Sequence, residues 1–258
     1  MPEFGSLHSE LRKNARQVRL GEDVPALLVV PEAREVPAPL LLWMHGRTAH
    51  KELDSGRFLR LLRRGIASCS LDLPGHGERF DETLHEPAAV LPVVEQMVQE
   101  LAGVLAELVE IEGIDPARIA IGGISAGGMA SLIRCCTDHP FAAICVEATT
   151  GNLAYRASSI LADPARVARL DPIHHLQDWR PVPLLALHNL LDEWVDVDGQ
   201  RFFIDALRER YPDPNLIDFH VYQRPTGAPH EHSGFGQFSG DAKDRQVSFL
   251  ARHLGVDS

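Results

Sequence analysis

Short apolar runs alternate with longer amphipathic stretches along almost the whole of this 258-residue chain. An apolar run bounded by Gly or Pro is typical of a buried strand, whereas a helix repeats apolar residues every three to four positions. The alternation predicts an α/β fold, with a doubly wound, mostly parallel sheet of about eight strands and helices on both faces. The predicted helices cover about 53–64, 90 to near 113, 197–210 and 241–254. The predicted strands cover 24–30, 40–44, 66–71, 118–121, 142–146, 184–188 and 218–222.

Residues 151–180 interrupt the alternation. The segment is polar, contains two prolines and ends just after Trp179. An insertion at this place is either a partial lid over a site or a long surface excursion, and the sequence leaves both interpretations open. Because the chain has no internal repeat, low-complexity tract or linker, residues 1–258 are predicted to form a single domain.

The composition restricts the partners of this chain. It carries 25 Lys and Arg against 36 Asp and Glu, a formal net charge of −11. Such a charge opposes binding to nucleic acid or to an anionic membrane surface. No apolar run approaches the ~20 residues of a membrane span, and no signal-peptide core is found near the N-terminus. We therefore expect no nucleic-acid partner and no membrane.

The cysteine and histidine patterns bear on location and metals. Each of the four cysteines (Cys69, Cys135, Cys136 and Cys145) lies in an apolar element, which is typical of reduced core residues in a cytoplasmic protein. The pair His230 and His232 could suggest metal ligands, but a His-rich loop without further ligands at suitable spacing is more often solvated. The prediction is a cytoplasmic protein with no metal and no cofactor.

The sequence Gly123-Ile124-Ser125-Ala126-Gly127 carries the clearest chemical signal. An apolar strand precedes it, and apolar residues at helical spacing follow it. A serine between glycines on a strand-to-helix turn has its hydroxyl pushed out of the backbone into an active site. The pattern predicts Ser125 as a nucleophile.

A serine nucleophile needs a histidine base and a carboxylate that orients the base. Both residue types occur downstream, in loops directly after strands. The loop after strand 184–188 offers Asp192, Glu193 and Asp196, and the loop after strand 218–222 offers His230 and His232. From position alone the carboxylate and the base stay open within these sets.

These motifs together resemble the α/β-hydrolase superfamily, and in particular the serine esterases and peptidases similar to dienelactone hydrolase and prolyl oligopeptidase. The shared order is serine, then acid, then histidine. The resemblance implies an α/β-hydrolase fold with Ser125 as nucleophile, His232 as general base and Asp192 as its orienting acid. It leaves His230 as the alternative base. One departure is Asn189, where the family usually has glycine. The matching stretches are His45-Gly46, Asp72 to Gly77, Gly123 to Gly127, Asp192 and the loop around His232.

The resemblance also implies an oxyanion hole. Its donors would be the backbone N–H groups of Ala126 and Arg47, one at a helix start and one after His45-Gly46. His45, Gly46 and Trp194 are predicted to line the pocket. Glu147, at the end of strand 142–146, is a minor candidate for the acid and is expected only to border the pocket.

The sequence therefore predicts a serine hydrolase, most simply a carboxylesterase that cleaves small acyl esters through an acyl-enzyme on Ser125. Its partner would be a small-molecule ester. A peptidase or thioesterase would use the same residues, and a non-catalytic binding protein on the same fold is the alternative from a different class. The physiological substrate and the oligomeric state do not follow from the sequence.

Overall fold

A single eight-stranded sheet forms the centre of the computed structural model, which describes residues 7–32, 36–155 and 163–256. The strand order is β1-β2-β4-β3-β5-β6-β7-β8. The first two neighbour pairs, β1 with β2 and β2 with β4, are antiparallel, and all others are parallel. The predicted sheet is thus confirmed. The strands are β1 Ala15–Leu20, β2 Val24–Val29, β3 Ala38–Met44, β4 Ala67–Leu71, β5 Ile114–Ile124, β6 Ala143–Glu147, β7 Leu184–Asn189 and β8 Ile217–Tyr222.

Helices cover both faces of the sheet. On one face the core includes buried side chains of α3, α4 and α6, and on the other it includes those of α1, α2 and α7. The four cysteines lie in this core as free thiols, and burial raises the pKa of Cys69 and Cys136 to about 12. The helices are α1 Ser9–Asn14, α2 Ser55–Arg64, α3 Val90–Leu108, α4 Ala126–Arg134, α5 Pro164–Leu170, α6 Val197–Arg208 and α7 Ser239–His253.

The edge strand β1 is an addition to the seven runs identified in the sequence. It pairs with β2 from Ala15 opposite Val29 to Leu20 opposite Val24. Three of its six residues are half-buried, and two more, both arginines, are exposed. An edge strand of this kind carries little apolar periodicity, which is why the sequence pattern does not reveal it.

Strand β5 begins earlier than predicted. Asp115-Pro116, which precedes the predicted strand 118–121, lies inside the observed strand. The register against β3 shifts there, since Ala38 pairs with Ile114 but Leu40 pairs with Ile119. Proline is tolerated in a strand at such an irregularity because the ladder already lacks a hydrogen bond.

The long helix α3 corrects one expectation. Residues Pro87–Leu108 are long and apolar enough to cross a membrane by length and composition, although no run of that size was expected. In this fold α3 packs against α4 and buries nine of its residues. Burial inside the molecule accounts for the apolar composition.

The segment 151–180 is described on both sides of residues 156–162, which lie outside the described residues. Its second part contains α5, which lies against α3 through ion pairs of Arg166 and Arg169 with Glu95. Trp179 is buried, and its ring meets that of Phe203 edge-on. Residues 163–180 therefore pack onto the helices of the main body.

Candidate active site

The backbone at Ser125 is strained in a way that presents its side chain. Ser125 lies between β5 and α4 with φ +53° and ψ −117°, values that side-chain-bearing residues rarely adopt. A Cβ at Gly123 would lie 2.4 Å from the Gly127 carbonyl carbon, and one at Gly127 would lie 2.2 Å from the Met44 carbonyl oxygen. Only glycine fits at either position, so the two glycines permit the sharp turn.

Three hydrogen bonds hold the Ser125 backbone in that conformation. Its N–H donates to the Glu147 carbonyl oxygen at 2.9 Å. Its carbonyl oxygen accepts from the Thr149 hydroxyl at 2.8 Å and from the Met129 N–H at 2.9 Å. The turn is thereby fixed to the end of β6 and to the first turn of α4.

Ser125, His232 and Asp192 lie together at the carboxyl edge of the sheet. The Ser125 Oγ is 2.9 Å from the His232 Nε2, and the His232 Nδ1 lies 2.8 Å and 3.0 Å from the two Asp192 carboxylate oxygens. Because a carboxylate only accepts, Nδ1–H donates to Asp192 and leaves Nε2 to accept from the serine hydroxyl. An imidazole in this tautomer can take the proton of an attacking hydroxyl.

The Asp192 carboxylate is held from several sides. Its Oδ1 accepts the N–H groups of Trp194 at 2.9 Å and Val195 at 2.8 Å, and its side chain is fully buried. The His188 Nε2, which donates to the Val195 carbonyl oxygen at 2.8 Å, lies 3.5 Å from Asp192 Oδ2. Burial lowers the pKa of His188, which therefore stays neutral beside the carboxylate. The sequence did not point to His188.

The other candidates are bound elsewhere. His230 is about half exposed, and its Nδ1 lies 3.2 Å from Glu193. Asp196 accepts the Asp198 N–H at 2.9 Å and caps the start of α6. Glu147 binds Arg57 through both carboxylate oxygens, at 2.7 and 2.8 Å. Among the described residues, the side chains of His230, Glu193 and Glu147 have these partners and none in the hydrogen-bonded chain from Ser125 to Asp192.

The loop that carries His232 is tied to the loop that carries Asp192. Glu231 accepts hydrogen bonds from the Thr226 N–H and hydroxyl, both at 2.6 Å, and from the Asn189 side-chain amide at 2.6 Å. The bond from the Thr226 hydroxyl and those from neighbouring N–H groups lower the pKa of Glu231 to about 2. Sequence reasoning missed this contact, although Asn189, where the family usually has glycine, was the available signal.

The two expected oxyanion donors border the cavity in front of Ser125. Within the described part of the chain, neither the Ala126 N–H nor the Arg47 N–H donates to another residue. Gly46 lies close by, since a Cβ built on it would be 3.4 Å from the Ser125 Cβ. Two N–H groups left without an acceptor beside a hydroxyl can accommodate an anionic oxygen.

His45 fixes the turn before Arg47. Its Nδ1 lies 2.7 Å from the Gly46 carbonyl oxygen, and its Nε2 accepts the Leu73 N–H at 3.1 Å. Burial lowers the pKa of His45 to about 4, so the ring is neutral at pH 7. His45 is thus bonded to backbone groups.

A buried ion pair lies beneath the serine. The Arg57 guanidinium, on α2, binds Glu147, Asp54 and the Gln246 side-chain oxygen, and it stacks on the Trp43 ring at 4.0 Å. Because Glu147 also supplies the carbonyl that accepts the Ser125 N–H, the ion pair supports the strained turn. Arg57, Glu147 and Gln246 come from segments far apart in the sequence, and of these three only Glu147 was singled out there, as a residue that borders the pocket.

The cavity in front of Ser125 has a volume of about 810 Å³. Ser125, His232 and the predicted pocket residues His45, Gly46, Trp194 and Glu147 border it. None of residues 163–180 does, so the described later part of the candidate lid does not cover the site. In the described ranges, no cluster of three or more His, Cys, Asp or Glu side chains could hold a metal ion.

Comparisons with known proteins identify the family of this chain and its fold. A family model described as the Alpha/beta hydrolase family matches residues 15–251. Among curated proteins, the chain is 24% identical over 251 residues to "Esterase YjfP" of Escherichia coli. The match covers 90% of this chain and 96% of that relative.

Two solved structures share the fold. A Mycobacterium tuberculosis puromycin-hydrolyzing peptidase has a TM-score of 0.73 at 20% identity, and the match covers 94% of this chain but 40% of that one. TT1662 from Thermus thermophilus has a TM-score of 0.70 at 23% identity, covering 94% and 99% of the two chains. At these identities, the two structures support the fold and not a particular substrate.

Proposed function

This chain belongs to the alpha/beta hydrolase family, and from that premise we propose that it is a serine esterase that cleaves small acyl esters. The observation that carries the proposal is the 2.9 Å contact between Ser125 Oγ and His232 Nε2, with Asp192 on the other ring nitrogen. Similarity to a protein named as an esterase, over almost its full length, supports an ester over a peptide or thioester. The cytoplasmic location stays a prediction from the sequence.

The first half of the proposed reaction acylates the serine. Ser125 Oγ attacks the ester carbonyl carbon while its proton moves to His232 Nε2. The oxygen of the tetrahedral intermediate is held by the N–H groups of Ala126 and Arg47. The carbon–oxygen bond to the alcohol then breaks, and His232 delivers its proton to the leaving oxygen. Asp192 remains ionised and stabilises the imidazolium.

The second half releases the acid. A water molecule gives a proton to His232 Nε2 and attacks the acyl carbon. When the bond to Ser125 breaks, His232 returns the proton to the serine oxygen. The carboxylic acid leaves, and the enzyme is restored without any external reductant, oxidant or metal in the scheme.

The direct test combines covalent labelling with turnover. A fluorophosphonate probe should form an adduct on Ser125, detected by peptide mass spectrometry, and the protein should hydrolyse 4-nitrophenyl acetate. Ser125→Ala should lose the adduct and at least ~10³-fold in kcat/KM. Ser248→Ala, which changes an exposed serine on α7 outside the cavity, is the matched control and should retain both.

Two outcomes contradict the proposal. Undiminished turnover by Ser125→Ala would move the nucleophile elsewhere. A wild-type protein with neither adduct nor turnover would favour the alternative of a binding protein on a hydrolase fold.

A further inference from the structure

Trp194 borders the cavity, and its backbone is hydrogen-bonded to a residue of the site. Its N–H donates to Asp192 Oδ1 at 2.9 Å, so the backbone that carries the indole is bound to the carboxylate that orients His232. The indole centroid is 5.1 Å from that of the His232 ring and 4.6 Å from that of His230. The residue is nevertheless 45% exposed, which is unusual for a tryptophan.

The proposed reaction fixes which half of a substrate meets this ring. His232 Nε2 must take the proton from Ser125 and then deliver it to the oxygen of the departing alcohol. The alcohol oxygen therefore lies within hydrogen-bond reach of Nε2, while the carbonyl oxygen points to the N–H groups of Ala126 and Arg47. Any substituent on that alcohol extends along the His232 side of the cavity, where Trp194 is found.

A cation lies beside the same ring. Four lysines and arginines border the cavity, and three of them (Lys51, Arg57 and Lys243) are within 4 Å of a carboxylate. In the described part of the chain, Arg47 has no such ion pair; its Nη1 donates to the His85 carbonyl oxygen at 2.6 Å. The Arg47 Cζ lies 5.7 Å from the Trp194 ring centroid. Glu193, which directly precedes Trp194 in the sequence, is paired with His230.

We propose that Trp194 and Arg47 form a leaving-group subsite for aromatic alcohols that carry an anionic substituent, such as a phenol carboxylate. The indole offers an aromatic surface for the departing ring, and stacked aromatic pairs are favoured over aliphatic contacts of similar area. The Arg47 guanidinium pairs with the carboxylate on that ring. This inference rests on the proposed esterase function, because the direction of the alcohol half comes from the proton transfer by His232.

The test compares three acetates that form the same acyl-enzyme and differ only in the alcohol. They are 4-acetoxybenzoate with an anionic aryl group, phenyl acetate with a neutral one, and ethyl acetate. The value of kcat/KM reports the steps up to departure of the alcohol. For each variant it is divided by the wild-type value for the same ester, so that differences in the intrinsic reactivity of the three esters cancel. The variants are Trp194→Leu, Trp194→Phe and Arg47→Gln. Phe202→Leu is the matched control, since Phe202 is 54% exposed and does not border the cavity.

Trp194→Leu should lower kcat/KM for both aryl esters about threefold to tenfold more than for ethyl acetate, and Trp194→Phe should restore most of the difference. Arg47→Gln should lower the ratio of the anionic to the neutral aryl ester about fivefold. Phe202→Leu should alter none of these ratios. Equal losses for all three esters in Trp194→Leu, or an unchanged anionic-to-neutral ratio in Arg47→Gln, would overturn the subsite.

A binding measurement separates this inference from the proposed function. Calorimetry with 4-hydroxybenzoate, the alcohol product, should give weaker binding to Trp194→Leu and Arg47→Gln than to wild type. If the protein hydrolyses no ester but this loss of binding is seen, the esterase proposal fails and the aromatic-anion site stands. If ester turnover is normal and binding is equal in all variants, the subsite fails and the esterase stands.

Discussion

Backbone strain is concentrated in the loops that form the site. Seven non-glycine residues in the described ranges have positive φ, and six of them lie in these loops; they are Thr48, Ser125, Ala148, His230, Glu231 and Phe235. Each such residue costs about 1–3 kcal/mol, so surrounding contacts must enforce it. At Ser125 the enforcing contacts are the three backbone hydrogen bonds to Glu147, Thr149 and Met129. The strain places the hydroxyl in front of His232.

Whether Asp192 or Glu193 is the acid that orients His232 can be tested at the residue scale. Asp192→Asn keeps the shape of the side chain but removes its charge and favours the wrong imidazole tautomer, so kcat should fall about 10³-fold to 10⁴-fold. Glu193→Gln changes the next residue of the same loop, whose exposed carboxylate pairs with exposed His230, and it should change kcat less than about threefold. Steady-state hydrolysis of an aryl acetate measures both. A large loss in Glu193→Gln with a small one in Asp192→Asn would reverse the assignment.

At the scale of elements, two loops from neighbouring strands are joined into one unit. β7 and β8 lie side by side, and Asn189 at the end of β7 donates to both the carbonyl and the carboxylate of Glu231. The Glu231 carboxylate also accepts the N–H groups of Thr226 and Gly227. Two residues with positive φ, His230 and Glu231, directly precede His232. The carboxylate thus stabilises a strained backbone that positions the imidazole.

Replacing Glu231 tests whether its carboxylate holds the backbone that positions His232. Glu231→Gln removes the charge that several donors share, so we expect kcat/KM and the rate of fluorophosphonate labelling to fall about tenfold. Gln237→Ala, which removes an exposed hydrogen bond to Pro225 in the same loop, is the matched control and should have little effect. Because the pKa of Glu231 is held at about 2, the hydrogen bonds to its carboxylate should persist at every pH above about 4. Normal labelling of Glu231→Gln would show that the loop is held without it.

The sequence predicted best those site residues that lie in a loop directly after an apolar strand. Ser125, Asp192 and His232 each follow an apolar run, and parallel strands bring their carboxyl ends to one edge. The contacts that distinguish a site residue from a similar residue nearby in its loop are made with residues far away in the sequence. The preference for His232 over His230 depends on which ring reaches Asp192, and the ion pair of Arg57 with Glu147 joins residues 90 positions apart. No periodicity or spacing encodes such pairs.

At the scale of the whole molecule, the fold keeps several histidines neutral. Four buried rings have a pKa lowered chiefly by burial: His45, His76, His139 and His188. A ring in this state has no water to stabilise its charged form. Protons therefore bind the unfolded chain more readily than the native one in mildly acidic solution, and acid should favour unfolding.

The contribution of His45 to this pH dependence can be isolated by substitution. The unfolded residue takes up a proton as the pH falls below 6.5, whereas the folded ring stays neutral down to about pH 4. The free energy of unfolding should therefore be at its full value above pH 6.5 and decrease toward pH 4, by up to about 3 kcal/mol from this residue. Urea unfolding at pH 7.5, 6 and 5 measures the decrease. His45→Gln, although less stable at pH 7.5, should show a shallower decrease than wild type. An equal slope in His45→Gln and wild type would mean that the folded His45 ring titrates normally, and the buried neutral state would have to be abandoned.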